Sequence, residues 1–293
     1  MTRICNFGWR GNPEPGIGRI VSAHGDYYHL VCDEASGEII ARKKKSAFSK
    51  RLAKVQDFGA LRRVTRDEIG EERLKPITGD FVRFKYNSQG ESMITEILPR
   101  FSRFERKDPT ARRKSQTLAV NFDTLFIMMS LNSNFSIARI KRYLDLAADI
   151  GDAEVVVVVT KMDLRQEGDE EFLSQLANVV DGRARMLCIS ALTGEGLHTL
   201  DEFVKPGKTL AFIGSSGVGK STLVNVLAGE NWMVTQEIQE WSGKGRHTTT
   251  SRELVMLPSG AMIIDTPGIR EIGRIDEEDL LLLKGESSHR YRK

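Results

Sequence analysis

Nine residues, Gly214-Ser215-Ser216-Gly217-Val218-Gly219-Lys220-Ser221-Thr222, limit the fold of this chain more than any other stretch. They fit G-x-x-x-x-G-K-[ST], the phosphate-binding P-loop. The apolar run 209–213 comes before them, and the helical pattern of 221–227 comes after. A strand feeding a glycine turn into a helix is the context this motif needs. There the glycines let backbone N–H groups converge on phosphate oxygens, and the helix N-terminus adds a favourable dipole. In that setting Lys220 reaches the β- and γ-phosphates, and the Ser221 hydroxyl is a ligand for Mg2+. A glycine turn without a ligand is the plainer alternative; the Lys-Ser pair and both flanks argue against it.

Around the loop, residues 117–275 alternate strands and helices. Strand runs lie at 121–129, 154–159, 185–189, 209–213, 252–257 and 261–264, the last two joined by the turn Pro258-Ser259-Gly260. Ile137, Ile140, Leu144 and Ala147 make one helical stripe, with Gly151 as its stop, and Phe172, Leu173, Leu176 and Val180 make another. Continuous Val/Ile runs between amphipathic helices predict a mostly parallel six-stranded sheet covered on both faces, an α/β fold.

Three further motifs follow strand runs, where α/β sheets bind ligands. Thr160-Lys161-Met162-Asp163 looks like the [NT]-K-x-D guanine motif, with Thr in place of the usual Asn. A carboxylate at Asp163 can accept from the guanine N1–H and 2-amino group, a donor pair that adenine lacks. The alkyl stem of Lys161 would pack along the base. Ser190-Ala191-Leu192 resembles the S-A-[KL] loop whose backbone N–H meets the guanine O6. Asp265-Thr266-Pro267-Gly268 fits the D-x-x-G switch, in which Asp265 holds Mg2+ through water and the Gly268 N–H meets the γ-phosphate. Each string alone reads as readily as a strand-end charge pair or a simple turn; their conjunction decides. Their order, guanine motif before P-loop before switch, is that of a circularly permuted G domain.

Ahead of this lie five short strand-like runs at 18–23, 27–32, 37–41, 80–86 and 92–98. Together they predict a small OB-like barrel within residues 1–100. Phe81, Arg83 and Lys85 alternate with Val82, Phe84 and Tyr86, which predicts two unlike faces. The charged stretch 64–74 reads as a loop or short helix. Residues 1–116 hold 24 Lys and Arg against 15 Asp and Glu, whereas 117–293 hold 19 against 25. The first part is therefore the candidate polyanion contact, with an ordinary solvated surface as the alternative. Its basic residues concentrate in 41–54 and in 99–116, the second read as a basic linker over 101–116. Phe48, Phe101 and Phe104 lie among them, and packing is a better account of these rings than stacking on bases.

Cys5, Cys32 and Cys188 are scattered, which suits a reducing cytoplasm and gives neither a disulfide framework nor a metal spacing. No apolar run approaches the roughly 20 residues of a membrane span.

The permuted order, the barrel ahead of it and Gly245-Arg246-His247-Thr248-Thr249-Thr250 together resemble the bacterial small-ribosomal-subunit-dependent GTPases, late 30S assembly factors. The resemblance spans residues 17–275. It implies GTP and GDP as ligands, slow hydrolysis stimulated by the 30S subunit, and 16S rRNA contacted partly through the OB-like domain. It also implies that 245–250 is switch I, with Thr248 or Thr249 joining Ser221 on Mg2+. Members carry a C-terminal zinc domain. Residues 276–293 read as a short helix and tail without cysteine, so zinc is not expected in this chain. A cytoplasmic monomer is expected.

Ras-like enzymes place a Gln after the switch glycine to orient water; here that position is Ile269. His247 is the candidate for the role, and capping its loop or touching RNA is the alternative. A nucleotide-regulated RNA-binding module with little hydrolysis is the second reading of the whole chain. A P-loop ATPase is the third, disfavoured by Asp163.

Overall fold

The computed structural model describes residues 2–43, 75–106, 116–131, 135–215, 217–229 and 253–265. A short helix, α1 (Arg3–Asn6), precedes five strands: β1 (Ile17–His24), β2 (Tyr27–Cys32), β3 (Ile39–Lys43), β4 (Phe81–Lys85) and β5 (Ser92–Ile97). They pair in the order β1-β2-β3-β5-β4, and β4 pairs back to β1, which closes the barrel. Only β3 and β5 run parallel. A bulge between Ile20 and Ser22 lets β1 bend around the ring. Ile20, Tyr28, Leu30, Val82, Phe84 and Ile94 fill the inside.

The expected two-faced alternation in β4 is only partly kept. Val82 and Phe84 face the barrel core, but Phe81 is also buried, and Tyr86 is exposed. Phe81 is covered from outside by a second cluster with Ile4 of α1, Ile17 and Leu98, and the Trp9 ring lies 5.1 Å from it.

The strands β6 (Arg103–Arg106) and β7 (Gln116–Val120) form an antiparallel pair, so part of the stretch read as a linker is a strand. Phe104 is buried there, and Phe101 lies under the Arg10 guanidinium, 3.6 Å from the ring centre. Both rings pack, as expected; Phe48 and the stretch 64–74 lie outside the described residues.

The α/β part follows as β8 (Thr124–Ser130), α2 (Ile137–Leu146), β9 (Glu154–Thr160), α3 (Asp169–Val180), β10 (Arg185–Cys188), β11 (Thr209–Gly214), α4 (Lys220–Ala228), β12 (Glu253–Met256) and β13 (Met262–Asp265). The order across the sheet is β10-β9-β8-β11-β13-β12. The first five are parallel and β12 is antiparallel. Every residue of β8 is buried because Leu125, Ile127 and Met129 face α2 and α3 while Phe126 and Met128 face α4. The Ser136 hydroxyl caps α2 by accepting from the Arg139 N–H at 3.3 Å. Past its end Gly151 has φ +84°, and a Cβ there would lie 2.4 Å from the Phe101 carbonyl oxygen, so only glycine fits. In α3, Leu176 and Val180 are buried as the stripe predicts. Phe172 is 51% exposed, because it meets the Phe135 ring at the rim of a cleft rather than the sheet.

Barrel and sheet are continuous. Ser22 of β1 pairs with Glu253 of β12, which makes one eleven-stranded sheet. Polar groups fill the join. The Arg100 guanidinium holds the fully buried Asp80 carboxylate through two 2.7 Å hydrogen bonds. Asp123 accepts from Lys208 Nζ, from an Arg10 Nη and from the Thr209 N–H, each at 2.9 Å. No helix among the described residues is long and apolar enough to cross a membrane.

Candidate nucleotide-binding site

The P-loop strand β11 lies inside the sheet, between β8 and β13. It delivers Gly214 and Ser215 to the carboxyl edge, the ligand edge of an open α/β sheet. Gly217 and Gly219 have φ of +74° and +92°, so the loop takes a shape that side-chain-bearing residues rarely adopt. A Cβ on Gly217 would meet no atom within 4 Å, so this glycine faces open space. Val218 is 3% exposed and anchors the loop to the core. Helix α4 starts at Lys220, and its N-cap Gly219 has no side chain with which to cap it. Ser221 is half-buried in its first turn, and Thr222 beside it is exposed.

Residues 160–163 arrive from β9, two strands away. The Thr160 hydroxyl, buried at 4% exposure, donates to the Val218 carbonyl oxygen at 2.6 Å. One hydrogen bond thus ties the guanine motif to the P-loop, and it comes from the residue that departs from the usual Asn. Lys161 then takes left-handed backbone angles, φ 61° and ψ 41°. This is uncommon for a residue with a Cβ, and strain of that kind gathers at functional sites. Met162 turns inward, and its N–H donates to the Ile189 carbonyl at 3.2 Å. Asp163 is left at the surface.

The loop after β10 closes on it. The buried Ser190 hydroxyl donates to Asp163 Oδ1 at 2.5 Å and accepts from the Thr193 N–H at 3.2 Å. Ala191 is half-buried and Leu192 is 81% exposed. The sequence marks Ser190 only as part of a loop motif and does not show its hold on the carboxylate. A hydroxyl at the end of the neighbouring parallel strand was the available signal.

Asp265 ends β13 on the same edge: β13 runs parallel to β11, with Ile264 opposite Ala211. The structure therefore brings residues 160–163, 190–192, 214, 215 and 217–222 and the backbone of Asp265 to one edge of one sheet. Ser216, His247, Thr248, Thr249 and Gly268 lie outside the described residues. Beyond Asp163 lies a cleft of about 710 Å³ walled by Leu131, Phe135, Leu164 and Phe172. It shares Asp163 with the site but holds no P-loop residue.

A P-loop at the centre of a mostly parallel sheet, with the guanine strands preceding it in the chain, defines a circularly permuted GTPase fold. Solved structures agree. The crystal structure of YjeQ from Thermotoga maritima covers 87% of this chain with a TM-score of 0.58 at 25% identity, and this chain covers 76% of it. The fold also matches YloQ, described as a circularly permuted GTPase, with a TM-score of 0.52 at 22% identity over 88% of this chain and 73% of that one. A family model, RsgA GTPase, matches residues 97–275. Relatives named small ribosomal subunit biogenesis GTPase are found in Lactiplantibacillus plantarum, 38% identical over 256 residues, and Leptospira interrogans, 37% identical over 284 residues. The first alignment covers 87% of this chain and the second 94%. The chain spans 66% of the first relative's length and 72% of the second's. It belongs to the RsgA GTPase family.

Proposed function

We propose that this chain binds GTP at the edge described above, hydrolyses it to GDP, and does so in the maturation of the small ribosomal subunit. The observation that carries the reading is the 2.6 Å hydrogen bond from Thr160 to Val218, which seats the guanine motif against the phosphate loop. With that contact made, a single nucleotide spans Asp163 and Lys220. Asp163 accepts from the base, Lys220 meets the β- and γ-phosphates, and the N–H groups of 217–221 line the phosphate chain. Ala191 and Leu192 stand by the base, and their half-buried to exposed loop supplies the backbone N–H for O6.

Mg2+ belongs to this reading. Among the described residues no three His, Cys, Asp or Glu side chains gather around a metal position. A P-loop cation does not need them, because phosphate oxygens and water fill most of an octahedral shell. One hydroxyl at the head of α4 and one carboxylate at the end of β13 suit such an ion, so Ser221 and Asp265 fit, joined by Thr248 or Thr249. When bound, the ion offsets charge on the phosphates. His247 is the group we assign to orienting the attacking water, with the Gly268 N–H on the γ-phosphate.

For the partner, relatives carry the small subunit in their names. The excess of basic residues before position 117 suits 16S rRNA. The deciding experiment measures GTP turnover with and without purified 30S subunits, with ATP as competitor. Stimulated turnover that ATP does not inhibit supports the reading. Binding without turnover leaves the nucleotide-regulated RNA-binding module.

A further inference from the structure

Arg19 is the bulkiest fully buried side chain among the described residues. It starts in β1 of the barrel and ends at the foot of the GTPase sheet. Its guanidinium donates to the carbonyl oxygens of Phe7 and Asn121, both at 2.6 Å, and to Thr209 Oγ1 at 2.9 Å; an Nη also lies 3.6 Å from Met262 Sδ. A Cβ on Gly8 would sit 2.9 Å from the same nitrogen, so the N-terminal segment seals it in. Burial pushes its pKa down to about 9, with Asp123 and Asp80 pulling the other way, so it is a cation at neutral pH. Among the described residues no carboxylate lies within ion-pair distance of it, and Asp123 and Asp80 act on it only from further off. A buried cation held by carbonyls and a hydroxyl is an expensive space-filler beside an apolar side chain of the same size.

Besides the Phe81 ring, whose centre is 4.8 Å from its Cζ, it touches two side chains of the GTPase sheet, and these explain the choice. Thr209 opens β11, whose far end is the P-loop. Met262 opens β13, whose far end is Asp265. The two are direct register partners. Three residues further along β1, Ser22 pairs with Glu253, the first residue of β12. The barrel strand therefore grips both strands of the hairpin that runs between the two switch motifs, and anchors it to the P-loop strand.

We propose that Arg19 is a positioning residue that couples the barrel to the nucleotide: it fixes the β12–β13 hairpin against β11, so that a ligand on the barrel and the state of the γ-phosphate bias each other. From Met262 to Asp265 is about 10 Å of stiff strand. A shift of Asp265 along its strand must appear at Met262, where Arg19 passes it to β1. Interfaces of this kind have discrete arrangements rather than a continuum, and the coupling is reciprocal.

The inference rests on the site being a GTP switch, and the test separates the two. Full-length wild type, Arg19→Met, Arg19→Lys and Thr209→Val are compared for basal single-turnover hydrolysis, for stimulation by 30S subunits, and for 30S affinity with a non-hydrolysable GTP analogue against GDP. Thr209→Val removes one acceptor and keeps the shape, so it decides if Arg19→Met does not fold. We expect basal turnover within about threefold of wild type, and a GTP-over-GDP preference for 30S that falls about tenfold in Arg19→Met. Thr209→Val should lose about threefold, and Arg19→Lys should regain part of the loss. Stimulation and preference equal to wild type in the folded variants overturn the inference while leaving the function intact. A wild type that neither binds nor turns over GTP overturns both.

Discussion

The Ser190 hydroxyl donates to Asp163 Oδ1 at 2.5 Å, from a buried position onto an exposed carboxylate. The contact joins two loops that are 27 residues apart in sequence. It leaves Asp163 oriented by a neighbour before any base arrives, which lowers the ordering cost of binding.

Removing that hydroxyl therefore tests the base pocket. Ser190→Ala should raise the dissociation constant for GDP by about three- to tenfold, the worth of one ordinary hydrogen bond, because the carboxylate can still orient by itself. Titration calorimetry reads this directly. Unchanged affinity would mean that the carboxylate needs no support.

Thr160→Val keeps the shape of the side chain and deletes the donor to Val218. It strands a buried carbonyl oxygen, at a cost of about 1 to 3 kcal/mol. Urea unfolding should show this loss, and the looser P-loop should bind both GDP and GTP more weakly. Thr160→Asn returns a donor and should recover binding.

His247 is assigned to the chemical step rather than to binding. His247→Ala should slow single-turnover hydrolysis by about a hundredfold while the affinity for GTP holds. Loss of affinity with normal turnover of bound GTP would move the residue to loop or RNA contact.

Stability should respond to acid through Asp123. Burial alone would raise the pKa of this carboxylate, but the hydrogen bonds from Lys208, Thr209 and Arg10 outweigh it and hold the group below the ordinary 3.8. A carboxylate whose folded pKa lies below its unfolded one stabilises the fold above the unfolded value. That contribution disappears as pH falls through the folded value. Asp123→Asn should cost about 1 to 2 kcal/mol at pH 7, and the gap to wild type should narrow as pH drops below about 4. Urea midpoints of the two proteins across that range are the measurement.

Much of this architecture was legible in the residues. The buried strands announced themselves because β8, β9 and β11 are covered on both faces and so read as unbroken apolar runs. The P-loop was legible because glycine spacing, lysine and serine all answer to one ligand. What escaped was long-range. Nothing around Arg19 distinguishes it from the other basic residues of the barrel, because its partners Asn121, Thr209 and Met262 lie more than 100 positions away. Phe81 looked like one face of an alternating strand, and only the packing of α1 and Trp9 makes both faces buried. The strand β6 hid inside a run of arginines, since its partner β7 supplies the pairing that its own composition does not suggest.

The pairing of Ser22 with Glu253 has a further consequence for anyone cutting the protein apart. At the outer side of the α/β sheet, β12 would otherwise present a row of bare peptide groups, the usual template for strand-to-strand aggregation. Here the first strand of the barrel lies against the start of that row. A fragment trimmed to the GTPase half would expose it, and should cluster or seek another chain's strand even with its nucleotide site complete.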